Sequence, residues 1–242
     1  MTYARFHLIF NLPLLMLLLL LGWHAPWAVE EAAAFGWVML AVIVFTSPWD
    51  NFAAKWGIWG FPRAKYSLRL GYLPLEEYVF FLLQGANVML AVRAFFHFFP
   101  DWLTGREVAL GPITLILLGA SLIPWALVAL QLRWLRRKCG PRVNYAVHLA
   151  WFLPFLYFQW VMAPQVFGDH LALLALITVL FGVYYTVADF CAVRAGTWYF
   201  DDKQITGVKL AGLLPWEEIA FFFITTLLVA QSYLLLLPGE CR

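Results

Sequence analysis

The sequence predicts an all-α membrane protein of seven transmembrane helices built on an internal parallel repeat. Three observations carry this: an excess of apolar residues, seven apolar runs of membrane-crossing length, and an acidic motif that occurs twice. Of the 242 residues, 64% are hydrophobic and 12% charged, against about 25% charged in an average globular domain; the mean hydropathy is +0.78. A formal net charge of +2 gives no reason to expect nucleic acid as a partner. The three cysteines, Cys139, Cys191 and Cys241, are scattered and form no C-x-x-C pair, so neither a disulfide framework nor a zinc site is expected.

Crossing the hydrocarbon of a bilayer takes about 20 apolar residues. Runs of that kind fall at 6–23, 31–49, 73–97, 109–132, 143–163, 170–192 and 213–237. The first resembles a signal peptide, with Arg5 ahead of a leucine-rich stretch, but no A-x-A cleavage pattern follows and it reads as a true span. The third and seventh each open on Leu-Pro-x-Glu-Glu, where proline suits the first turn of a helix. The fourth exits into Arg136-Arg137-Lys138, which reads as a topological anchor or a lipid-headgroup site.

Basic residues then set the orientation, because loops rich in Lys and Arg stay in the cytoplasm. Thirteen lie on the N-terminal side: Arg5; Lys55, Arg63, Lys65 and Arg69; Arg133, Arg136, Arg137, Lys138 and Arg142; Arg194, Lys203 and Lys209. The other side holds three: Arg93, Arg106 and Arg242. The N-terminus is expected inside and the C-terminus outside.

The repeat extends beyond the acidic pair. Asp50, Lys55, Gly57, Trp59 and Phe61 recur 139 residues later as Asp189, Arg194, Gly196, Trp198 and Phe200. From Gly71 and Gly212 onward the offset is 141, so Leu73-Pro74-Leu75-Glu76-Glu77 matches Leu214-Pro215-Trp216-Glu217-Glu218 and Phe80-Phe81 matches Phe221-Phe222. The modules lie four crossings apart, and an even number makes the repeats parallel. One membrane domain, 1–242, is thus expected to divide into a first half, 1–105, a connector helix and basic loop, 106–142, and a second half, 143–242. Spans 1–3 and 5–7 are the repeats and span 4 the connector.

Carboxylates near a bilayer demand a reason, since an ionised side chain costs roughly 2.5–3.5 kcal/mol at the centre of a spanning helix. A Glu after a helix-initiating Pro also serves the positive helix end, which is the plain structural reading of Glu76, Glu77, Glu217 and Glu218. Duplication with Asp, Trp and Gly at matched spacing exceeds what capping needs and makes the four glutamates candidate catalysts. At about 100° per residue, Gln84 and Asn87 fall on the side of Glu76 and Glu77, and Thr225 and Ser232 on that of Glu217 and Glu218, so each helix carries a polar stripe expected to face a bundle interior. Asp50 and Asp189 are either exposed loop carboxylates paired with Lys55 or Arg194, or further catalytic groups. Trp59, Trp198 and Phe200 are interfacial belt residues or cavity walls; His148 reads as a hydrogen-bonded core histidine rather than a base. Asp201-Asp202 is half of a metal-binding acidic motif with no second half, so no metal is assigned.

Carboxyl groups in apolar walls suit acid–base chemistry on an apolar substrate, one serving as the acid and a neighbour as the base. Aromatic residues, 19% of the chain, supply ring faces that stabilise a carbocation, and excluded water cannot trap it.

The module Asp…Gly-x-Trp-x-Phe…Leu-Pro-x-Glu-Glu-x-x-Phe-Phe, present twice in a seven-span chain, resembles the small-subunit (c/d, heterodimer-type) membrane lycopene cyclases with both halves fused. The resemblance covers essentially the whole chain and is most specific over 46–84 and 186–225. It implies a redox-neutral, non-flavin cyclisation of the open ends of lycopene, or another acyclic carotenoid, to β-ionone rings, with γ- and β-carotene as products. Acid and base would come from Glu76, Glu77, Glu217 and Glu218, with Asp50 and Asp189 supporting or alternative; Trp59, Trp198, Phe80, Phe81, Phe221, Phe222 and Gln84 would bind substrate, without cofactor or metal. It also implies a bacterial or archaeal cytoplasmic membrane, membrane lipid as surroundings, a site toward the cytoplasm, and distant kinship with intramembrane prenyltransferases. Trp216, where the first copy has Leu75, marks the halves as unequal.

Rival readings fit less well. An intramembrane prenyltransferase needs two acidic clusters for magnesium and diphosphate, and only Asp201-Asp202 offers adjacent aspartates. A retinal protein needs a lysine in the seventh span, which has none. A flavin-dependent cyclase needs a Gly-x-Gly-x-x-Gly turn, absent here. A seven-span transporter would more often break its helices at mid-membrane.

Overall fold

A computed structural model describes residues 1–105, 108, 116 and 122–241. The chain is mostly helical. In order come α1 (Tyr3–Phe6), a π-turn (His7–Asn11), α2 (Leu12–Leu21), α3 (Val29–Trp56), α4 (Leu75–Phe98), α5 (Leu122–Cys139), α6 (Asn144–Leu149), α7 (Leu153–Met162), α8 (Pro164–Asp169), α9 (Leu171–Arg194) and α10 (Trp216–Leu236). Among the described residues five helical stretches are long and apolar enough to cross a membrane: Tyr3–Leu21, Val29–Trp56, Leu75–Phe98, Leu171–Arg194 and Trp216–Leu236. They answer to the first, second, third, sixth and seventh predicted spans.

The remaining two spans fare differently. Half of 109–132 lies outside the described residues, as do Arg106 and Arg242 of the charge count. The run 143–163 is not one helix: α6 passes through a 3-10 turn, Ala150–Phe152, into α7, and α8 restarts at Pro164. Pro154 and Pro164 each sit in the first turn of their helix, because proline lacks the N–H that would continue the preceding one. Pro13 explains the π-turn in the same way: it cannot donate to a carbonyl one turn back, so the chain loosens before α2.

The third predicted span forms the centre. Helix α4 is flanked by α2, α3, α9 and α10, and α10 by α9, α3 and α7; Val88, Met89 and Val92 of α4 have 0% exposure. Many apolar side chains on other faces are open, among them Leu8, Leu20, Val44, Leu176 and Val187, the surface expected of helices whose solvent is lipid. Arg93, counted by the sequence reading on the outer side and within the third span, is a buried residue near the far end of α4. Its guanidinium bonds Glu31 at 2.9 Å and the carbonyls of Ala25 and Pro26 at 2.9 Å, and it lies 4.2 Å from the Trp27 ring.

Two short loops join α3 to α4 and α9 to α10. Helix α3 ends at Gly57 and α9 just before Gly196, both with positive φ, 71° and 62°, the left-handed conformation only glycine adopts freely. Each loop folds into a hairpin, β2 (Arg69–Leu70) with β3 (Leu73–Pro74) and β5 (Lys209–Leu210) with β6 (Leu214–Pro215). The loops also pair with each other: β1 (Trp59–Gly60) runs antiparallel to β4 (Tyr199–Phe200), with Trp59 opposite Phe200 and Gly60 opposite Tyr199.

Candidate active site

Under the β1–β4 ladder lies a cavity of about 40 Å3 lined by fourteen residues. Ten are aromatic, and the other four are Asp50, Glu77, Asp189 and Glu218. Twelve of the fourteen form six pairs at matched positions of the repeat: Tyr3 with Tyr145, Asp50 with Asp189, Trp59 with Trp198, Phe61 with Phe200, Glu77 with Glu218 and Phe80 with Phe221. Trp49 and Phe222 complete the wall.

The pairing extends to atoms. The Trp59 indole N–H donates to Asp50 Oδ1 at 2.7 Å and that of Trp198 to Asp189 Oδ1 at 2.8 Å. Tyr3 Oη donates to Glu77 Oε2 at 2.6 Å, and Tyr145 Oη donates to Glu218 Oε2. The Tyr3 ring lies 4.9 Å from Trp198 and stacks at 6.1 Å on Phe61; the Tyr145 ring lies 5.0 Å from Trp59 and stacks at 6.0 Å on Phe200. Each half thus sets its tyrosine against the tryptophan of the other, under a pseudo-twofold relation. Asp50 and Asp189 are 2% exposed, so neither is the exposed loop carboxylate that Lys55 or Arg194 would have paired.

The glutamates of each twin do different things. Glu77 and Glu218 face the cavity. Glu76 turns to its own loop, where Oε1 accepts from the Ser67 backbone N–H at 2.8 Å and the Ser67 hydroxyl at 2.7 Å. Glu217 does the same with the Thr206 N–H at 2.7 Å, and the Trp216 indole donates to the Thr206 hydroxyl at 2.5 Å. Neither Glu76 nor Glu217 lines the cavity; both pin the hairpin from which the next helix starts.

Of the expected substrate contacts, Trp59, Trp198, Phe80, Phe221 and Phe222 line this cavity, whereas Phe81 and Gln84 line a neighbouring one. The polar stripes do meet: Gln84 Nε2 donates to Thr225 Oγ1 at 3.2 Å, a contact between matched positions of α4 and α10. His148 bonds the Trp49 carbonyl at 2.8 Å and stacks on the Trp49 ring at 4.7 Å, on the outer side of the wall. Trp49 itself stacks on Phe221 at 5.2 Å and 2°. Asp202 pairs with Lys209 at 2.5 Å, and among the described residues no cluster of His, Cys, Asp or Glu is arranged to hold a metal ion.

Sequence reasoning missed Tyr3, Tyr145, Trp49 and Phe61 as wall residues. The tyrosines carried a signal, since Tyr3-Ala4 and Tyr145-Ala146 stand 142 residues apart, close to the repeat offset, with His7 and His148 just behind.

Buried carboxyls, each accepting from a fixed donor, can give and take protons, and the ring faces around them can stabilise a cation. A helical membrane protein whose two similar halves close on such a site is the class that fold and geometry define. The chain belongs to the lycopene cyclase family: the model described as Lycopene cyclase matches residues 4–99 and again 141–236. It is 28% identical over 218 residues to a lycopene beta-cyclase of Halobacterium salinarum, covering 85% of this chain and 82% of that one. Over 95% of this chain it is 28% identical to a bifunctional lycopene cyclase/phytoene synthase of Blakeslea trispora, spanning 38% of that protein. A protein of the same description from Leptosphaeria maculans is 31% identical over 96% of this chain and 40% of its own length. No solved structure matches the chain.

Proposed function

We propose that this protein is a lycopene β-cyclase, an intramolecular lyase that closes the open ends of lycopene to β-ionone rings without net oxidation or reduction. The observation that carries the reading is the cavity in which every non-aromatic wall residue is a carboxyl group. A carboxylic acid protonates the terminal double bond, leaving a tertiary cation between ring faces. The next double bond attacks that cation and closes the six-membered ring, moving the charge inward. A carboxylate then removes a ring proton and the new double bond forms, so atoms and electrons are conserved. Glu77 with Asp50, and Glu218 with Asp189, are the acid and base groups, with Tyr3 and Tyr145 fixing the glutamates. Glu76 and Glu217 hold the loops.

In the same reading the chain crosses the membrane seven times, 1–105 and 143–242 being parallel halves joined by 106–142, with the N-terminus and the site toward the cytoplasm and the C-terminus outside. The thirteen-to-three distribution of basic residues and the two family-model segments support it. Expression in cells that accumulate lycopene tests the activity: cyclic carotenes are expected in the pigment extract, and unchanged lycopene beside correctly inserted protein refutes the proposal.

A further inference from the structure

Beside the carboxyl site is a second, larger cavity of about 150 Å3 between α3, α4, α7 and α10. Phe221 is a wall of both cavities. From Phe221 the second cavity follows α10 to Ser232, eleven residues or about 16 Å at the helical rise. Its lining is mainly hydrocarbon, and four of its polar side chains are tied in pairs, Gln84 to Thr225 at 3.2 Å and Gln159 to Ser232 at 2.7 Å.

The repeat shows what makes this space. Thr46, Gly85 and Leu228 line the cavity, and their counterparts at offsets 139 and 141 are Tyr185, Thr226 and Asn87. On that side Asn87 Nδ2 donates to Tyr185 Oη at 3.0 Å and the Tyr185 ring stacks on Phe222 at 5.9 Å. Tyr185, Asn87 and Thr226 all have 0% exposure. One side of the pseudo-twofold axis is hollow, and its mirror is filled by a hydrogen-bonded plug.

We propose that the hollow side is the binding site for the unreacted polyene tail of the substrate, and that Thr46, Gly85 and Leu228 set its capacity while Tyr185 and Asn87 deny the tail the mirror position. This rests on the cyclase reading and adds a direction to it. The symmetric carboxyl site receives its substrate from one side, so the two ends of one lycopene molecule are cyclised in separate binding events, with release and reversal between them.

Filling the cavity from two different helices tests the assignment. A Cβ on Gly85 would meet Met39 Sδ and Val42 Cγ2 at 3.6 Å, ordinary contact, so Gly85→Ala is a mild step and Gly85→Leu a fuller one; Thr46→Trp fills from α3. Membranes holding each full-length variant are given lycopene, or an acyclic apocarotenoid that keeps one open end and stops short of the polyene midpoint. The ratio of lycopene to short-substrate conversion is expected to fall at least tenfold in Gly85→Leu and Thr46→Trp, and to a smaller degree in Gly85→Ala. A ratio unchanged across all three variants overturns the tail site. If the unsubstituted chain leaves lycopene unconverted, the cyclase reading itself fails, and the ratio is not needed to see it.

Discussion

Glu76 and Glu77 are neighbours in sequence but point about 100° apart on α4, and that angle divides their work. Only one of the two can face the cavity, and the same holds for Glu217 and Glu218. Glu77→Gln and Glu218→Gln are therefore expected to reduce lycopene conversion at least a hundredfold, in the range of a lost general acid or base, with insertion unchanged in a membrane fraction blot. Glu76→Gln weakens the charge-assisted bonds to Ser67. It is expected to keep most conversion while costing about 1.5–3 kcal/mol of stability, read as a lowered melting midpoint in detergent. Tyr3→Phe removes the hydroxyl that orients Glu77 and should lower turnover about tenfold with the melting midpoint nearly unchanged; an undiminished rate would remove Tyr3 from the mechanism. The division of labour was open to helical geometry, whereas Tyr3 lies 74 residues from its partner, a separation that no local pattern bridges.

Among the helices, those with long uninterrupted apolar runs were legible, and those interrupted by proline were not read to their ends. Span 143–163 has the apolar content of one helix, yet it breaks ahead of Pro154, and the break delivers Tyr145 to the cavity on a short helix of its own. Tight contact between α9 and α10 was also invisible in the sequence. A Cβ on Gly182 would lie 2.6 Å from the Phe223 ring, too close to be accommodated without movement. Gly182→Ala gains roughly 1 kcal/mol of helix propensity but incurs overpacking of about 1–3 kcal/mol. A net fall in melting midpoint is expected, partly restored by the further change Phe223→Leu. At the far end, Arg93→Ala leaves the half-buried Glu31 opposite no cation and the Ala25 and Pro26 carbonyls without their donor. It should destabilise by about 1–3 kcal/mol, observed as reduced yield of monodisperse protein.

For the whole molecule, orientation makes a claim that the native cysteines can report. Cys139 closes α5 on the basic side, and Cys241 follows α10 at the opposite end. In single-cysteine versions of the chain, a membrane-impermeant maleimide is expected to label Cys241 in intact cells and Cys139 only after permeabilisation; the reverse pattern would invert the topology. The repeat was legible because Asp, Gly, Trp and Phe recur at fixed offsets; the Asp, Trp and Phe line the cavity and the glycines end the helices that lead to it. The difference between the halves was less legible: Trp216 against Leu75 marked it in the sequence, but the larger asymmetry is in volume, Thr46 against Tyr185 and Leu228 against Asn87.

The β1–β4 ladder carries a consequence for descent. An antiparallel pair maps onto itself under a half-turn, so a single half already owns the edge it needs to close on an identical copy. Two identical chains meeting that way would have had to keep both flanks alike, hollow or plugged together. Two copies in one chain are free of that constraint, and substitutions at single positions suffice to turn a symmetric enclosure into a passage with one entrance.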